Sequence, residues 1–169
     1  MHARKTLALA LAALAVTGGS AALAEVKASD DKRGDAKCES RPCPDLKSAV
    51  ANPGIFDKTQ LFYIVTQHNA VQKTRLPRVA INTSGSSASA PDYYVEKRGR
   101  RAGVFDAKTG SRVGAAVLGS SSSKSLTWTF SSRAIGSPQS YLWRVEIIAK
   151  VGSRVDATPN RGYLRHSVG

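Results

Sequence analysis

The sequence predicts an all-β protein: a single antiparallel β-sandwich, of jelly-roll or immunoglobulin-like type, following a signal peptide and a disordered linker. Three observations carry that prediction. Apolar residues recur with period two rather than 3.6, turn residues punctuate the chain at short intervals, and no long segment shows helical spacing. With 169 residues, of which 41% are hydrophobic and 7% aromatic, there is room for one core and not two.

Arg4 and Lys5 precede an unbroken apolar run from Leu7 to Val16, and Ala22-Leu23-Ala24 has the small-x-small form of a processing site. Residues 1–24 therefore read as a secretory signal peptide, and the protein is expected to be secreted. The run breaks at Thr17-Gly18-Gly19-Ser20. That is short of the roughly 20 apolar residues a span requires, so no integral membrane segment is expected after processing.

Residues 25–45 follow, with five basic and six acidic side chains and no large apolar residue after Val26. A segment of this composition buries too little surface to offset its chain entropy, so it reads as a flexible polar linker ending near Pro44. Cys38 and Cys43 lie at its end. In an exported chain two thiols this close fit a local disulfide better than free or intermolecular thiols. They do not suit zinc, since no second ligand pair exists. Arg33-Gly34-Asp35 spells an RGD tripeptide, which chance explains in a polar tail.

The domain is expected over residues 46–169. One or two helical turns are allowed near Pro44 to Ala51. Leu61 to Gln67 alternates on two apolar faces and reads as a covered strand. Val79-Ala80-Ile81 and Tyr93-Tyr94-Val95 are shorter strands separated by the Ser84 to Ala90 loop. Val104-Phe105 and Val113 to Leu118 flank a hairpin loop in which Gly110 takes positive φ. Leu126, Trp128 and Phe130 share one face, as do Tyr141, Trp143, Val145, Ile147 and Ala149. Both tryptophans are therefore expected in the core. Seven or eight short strands of this kind make an antiparallel sandwich.

The motifs Val79-Ala80-Ile81-Asn82-Thr83, Pro91-Asp92-Tyr93-Tyr94-Val95, Ile135-Gly136-Ser137-Pro138, Tyr141-x-Trp143-x-Val145 and Asp156-Ala157-Thr158-Pro159-Asn160-Arg161-Gly162-Tyr163 follow one another in that order, within a resemblance that covers about residues 45–167. In that order they resemble secreted actinobacterial β-sandwich proteins related to DOMON-like and family 9 carbohydrate-binding modules. The resemblance implies a sugar- or haem-binding sandwich, sometimes with structural calcium. The chain departs from it where an acidic loop should follow the strand: here Asn82-Thr83-Ser84 leads into Gly85 to Ala90 without a carboxylate. Asn82, Asp92 and one more carboxylate are too few for calcium, so no metal is assigned. Haem is likewise unsupported, because His68 and His166 are the only histidines after residue 24. No cofactor is expected.

For a ligand, the candidates are aromatic rings beside loops and clustered cations. Consecutive strand residues face opposite ways, so one of Tyr93 and Tyr94 should be in the core and the other outside. The outer one, with Tyr163, is the candidate for stacking on a sugar. Lys97, Arg98, Arg100 and Arg101 surround Gly99 at an expected turn, and Arg112, Lys124, Arg133, Arg154, Arg161 and Arg165 add to the charge. Residues 46–169 carry 18 basic against six acidic side chains, which favours polyanions through a salt-sensitive attraction. Anionic cell-wall polymer, acidic polysaccharide, extracellular nucleic acid and anionic membrane surface all qualify, and non-specific polyanion binding is compatible with the same charge.

No catalytic residues are assigned. His68 and His166 lack partner signatures, no serine sits in a G-x-S-x-G turn, and no close carboxylate pair suits glycoside hydrolysis. Asp156 is expected to order its own turn. The sequence reading is thus a secreted, non-catalytic module for an anionic or carbohydrate surface. The alternative is a structural or inhibitor-type protein without a ligand site, with a hydrolase ranking below both.

Overall fold

A computed structural model describes residues 27–38, 43–53, 59–86, 89–148 and 154–167. The export signal expected over residues 1–24 lies outside the described residues. The fold is all-β, as the period-two pattern predicts. Its strands are β1 (Lys27–Asp30), β2 (Leu46–Pro53), β3 (Gln60–Gln67), β4 (Arg78–Asn82), β5 (Tyr93–Arg98), β6 (Arg101–Asp106), β7 (Arg112–Ser122), β8 (Ser125–Ser131), β9 (Ser140–Ile148), β10 (Arg154–Thr158) and β11 (Leu164–Ser167). One 3-10 turn, Ser132–Ile135, precedes β9.

All described pairings are antiparallel, in the order β1-β2-β3-β8-β7-β6-β5-β4-β9-β10, with β11 also paired to β9. The path folds into two layers because β7 serves both. Its first half pairs with β6 through Gly114 and Ala115, and its second half pairs with β8 from Ala116 to Ser122. The inner faces meet around Tyr63, whose ring lies edge-on to Trp143 at 5.3 Å and stacks with Phe130 at 6.0 Å. Trp128 and Trp143 are fully buried, as expected. Burying each contributes roughly 4–6 kcal/mol as an upper figure.

Two segments differ from the sequence expectation. The helical turns allowed near Pro44 to Ala51 are instead strand β2, with Leu46, Ala49 and Ala51 in the core. A bulge between Leu46 and Ser48 shifts the alternation by one residue, which hides the strand's period. The polar segment expected as a linker is also structured in part. Lys27–Asp30 adds to the β2 edge as β1, and Ala36, Cys38 and Cys43 pack on the core. Its composition gave no warning, because this segment is held by polar contacts and one disulfide. That disulfide, Cys38–Cys43, is formed as expected, with Cα atoms 5.7 Å apart.

β10 and β11 lie end to end along the free edge of β9 and face β1 and β2 across a seam. Side chains and single backbone bonds span it. Ser29 Oγ and Thr158 Oγ1 share a buried hydrogen bond of 2.8 Å, Leu46 N–H donates to Asp156 Oδ2 at 2.7 Å, and Lys37 N–H donates to the Val155 carbonyl at 2.8 Å. Asp156 does not order a turn as expected: it lies within β10, where one carboxylate oxygen takes Ala157 N–H and the other caps a strand 110 residues earlier.

Between the layers, Tyr63 donates its hydroxyl to that of Tyr141 at 2.8 Å. Both groups are buried, so removing one strands the other. Tyr63→Phe should cost about 1–2 kcal/mol in urea unfolding, whereas the Tyr63→Phe/Tyr141→Phe double variant should cost no more than the single one.

Candidate functional site

The outer face of the second layer is built by alternation. Tyr94, Glu96 and Arg98 on β5 point away from the core, while Val95 is fully buried beneath them. Register places Ala80 opposite both Tyr94 and Arg144, Tyr94 opposite Phe105, and Arg78 opposite Glu146. Aromatic rings and charged side chains from five segments therefore fall on one surface.

There they form an alternating ladder. Arg98 Nε donates to Glu96 Oε1 at 2.6 Å, and Arg78 Nη1 lies 3.6 Å from Glu96 Oε2. Arg78 also donates to Glu146 Oε2 through Nε at 3.1 Å and Nη2 at 3.0 Å, and Arg144 pairs with the other Glu146 oxygen. Each guanidinium covers a ring: Arg78 over Tyr94 at 3.6 Å, Arg98 over Phe105 at 4.0 Å, Arg144 over Tyr163 at 4.5 Å. Cation–π contact and ion pairing act on the same cations, so the face is stiff and its charge largely cancelled. Burial raises the Tyr163 pKa above the ordinary tyrosine range, with Arg144 acting against that shift.

The candidate ligand residues separate on this framework. Tyr94 and Tyr163 share the outer face and are close enough for Tyr94 to act on the Tyr163 hydroxyl, but a sugar would have to displace Arg78 or Arg144 to reach either ring. Tyr93 faces inward and packs against the core. Arg98 belongs to the ladder. Lys97, Arg100 and Arg101 remain exposed at the β5–β6 hairpin. Its two-residue loop is Gly99–Arg100, between the paired Arg98 and Arg101, and Gly99 has φ +58°. A tight hairpin needs that left-handed conformation at its first central residue, and glycine adopts it without strain.

Beside this hairpin opens a cavity of about 420 Å³ lined by Lys73, Thr74, Arg75, Leu76, Arg78, Glu96, Lys97, Gly99 and Ile148. Four cations face it against one carboxylate, which Arg78 and Arg98 already engage. Among the described residues no carboxylate pairs with Lys73 or Lys97. Lys73, Arg75 and Arg78 were not singled out in the sequence. Lys73 and Arg75 lie in the β3–β4 connection, far from the basic turn in the chain, and only the β4–β5 pairing brings them together.

Asn82 and Asp92, the two residues weighed for calcium, hold the β4–β5 loop. Asp92 Oδ2 accepts from Thr83 N–H at 2.7 Å and Thr83 Oγ1 at 2.9 Å, and Asn82 Nδ2 donates to the Ser86 and Ala90 carbonyls. Gly110 has the expected positive φ of +73°. Its hairpin is fastened by Asp106, whose pKa is lowered chiefly by the Thr109 N–H bond. In comparisons with known proteins the chain matches no family model, no curated protein and no solved structure.

Glu146 is the centre of the ladder, with its side chain 3% exposed and two guanidiniums on it. Loss of its charge leaves Arg144 without a described anionic partner and Arg78 with Glu96 alone, in a water-poor site. Glu146→Gln should therefore lower the unfolding free energy by about 3 kcal/mol, measured by chemical denaturation at low salt.

Proposed function

We propose that the protein is a secreted, non-catalytic module that holds an anionic polymer outside the cell, and that the contact is the basic cavity and hairpin at the end of β5. The observation that carries this reading is the sorting of charge. The outer-face arginines are matched by Glu96 and Glu146, whereas Lys73 and Lys97 line the cavity, and Arg100 and Arg101 lie exposed on the adjoining hairpin, without described carboxylate partners. A polymer with closely spaced phosphate or sulfate groups suits such an array, since each added contact releases counterions and the attraction weakens with salt.

The guanidinium caps on Tyr94 and Tyr163 disfavour stacking on neutral sugar as the source of affinity, which leaves charge as the main recognition element. The resemblance to family 9 carbohydrate-binding modules fits an acidic polysaccharide or a wall polymer as the setting.

Heparin oligosaccharide and polyphosphate serve as probes. The protein should bind both with affinity that falls steeply between 50 and about 200 mM salt. A Lys73→Ala/Lys97→Ala/Arg100→Ala/Arg101→Ala variant should bind at least tenfold more weakly at 50 mM salt, with a shallower salt slope. A variant that binds like the original would refute this site. Salt-independent retention on a neutral glycan would replace the reading with an aromatic sugar site.

A further inference from the structure

A second set of charges, opposite in sign, gathers at the seam. Carboxylate oxygens of Asp31, Asp35 and Asp156 lie within 4.8 Å of one another. Asp31 follows β1 directly, Asp35 comes one turn later, and Asp156 sits at the bulge in β10 opposite Ile147, pointing inward. Gly34, with φ +85°, lets the chain reverse so that Asp31 and Asp35 converge.

A fourth carboxylate reaches the same loop from the other side. Asp45 is 5% exposed; its Oδ2 accepts from Gly34 N–H at 2.8 Å, and its charge acts on Asp31. Its Oδ1 is buried without a donor, as are Asp31 Oδ2 and Asp35 Oδ1. Asn160 completes the ring: its Nδ2 donates to Asp31 Oδ1 and Asp35 Oδ2, both at 2.8 Å.

The electrostatics are unfavourable as they stand. Burial, then the Asp35 charge, raises the Asp31 pKa to about 6, and burial raises Asp156 to about 7 against the Leu46 N–H bond. In a chain with 25 Lys and Arg, no described salt bridge involves any of these four acids. Lys37 and Arg154 line the adjoining cavity of about 210 Å³ without pairing to them.

We infer that the seam is a binding site for a hard divalent cation, calcium by ligand type and number, held by Asp31, Asp35 and Asp156 with Asp45 and Asn160 beside them. Every donor is oxygen once the Asn160 amide turns to present Oδ1, and no thiol or imidazole belongs to the set, which excludes a zinc-type centre. Three to four carboxylates and one amide, completed by water, reach the six to eight oxygens calcium takes. Magnesium, which needs a small octahedral shell, suits this wide set less well. The ion would fasten β1 and its following loop to β10, so it is separate from the basic cavity and tests independently of it.

Thermal unfolding of the mature full chain, EGTA-treated at pH 7.5, is measured with and without 10 mM CaCl2 and with 10 mM MgCl2. Calcium should raise the Tm by about 5–10 °C, and by more than magnesium does. Asp35→Asn should lose most of that rise. Because a variant can fail to fold, hydrogen exchange on the unaltered protein gives a second readout: calcium should slow exchange in residues 29–37 and 154–158. No rise with calcium, an equal rise in Asp35→Asn, or no slowing in those segments would overturn the site.

Discussion

Among the described residues, two sheet edges face each other without a backbone ladder between them. β1 and β2 end one side of the strand path and β10 with β11 end the other. An open edge exposes backbone groups that must find partners, and a closed barrel removes the problem by pairing the last strand with the first. Here the closure is made by side chains and single backbone bonds instead. Asp156 caps Leu46, Thr158 meets Ser29, and the loop after β1 crosses to Val155. The layers stay together through the tyrosine and tryptophan contacts in their middle, but the position of β1 and of the disulfide that follows depends on the seam.

The same constraint sorts the charges. Three acids of the polar N-terminal segment, Asp31, Asp35 and Asp45, are drawn to the seam, where they meet Asp156. The glutamates Glu96 and Glu146 are drawn to the outer face, where they neutralise arginines. Much of what remains exposed is basic, and one group of these cations, Lys97 to Arg101, sits at the end of β5. The RGD tripeptide illustrates the effect, since its Asp35 carboxylate accepts a hydrogen bond from Asn160.

Much of this architecture was legible in the sequence because alternation is a local signal. β3, β8 and β9 carry strict period-two faces, and their core residues Tyr63, Trp128 and Trp143 follow directly. β2 was not legible, because its bulge and its alanines blur the period, and β1 was not, because a four-residue polar edge strand gains its stability from a neighbour. The site was half legible. Lys97 to Arg101 stands out as a run, and the outward turn of one of Tyr93 and Tyr94 follows from strand geometry. Which rings would be capped, and by which arginines, depends on register between strands as far apart as β4 and β9, and no local pattern encodes that.

The outer-face ladder also bears on how the sequence can change. Arg78 touches two glutamates and a ring at once, and Glu146 answers two arginines. Removing any single member leaves its neighbours with excess charge or an uncovered ring, so acceptable replacements come in groups. Positions 78, 94, 96, 144, 146 and 163 should drift together among descendants of this chain, as a coupled set of sites, while the exposed lysines around the cavity drift one at a time.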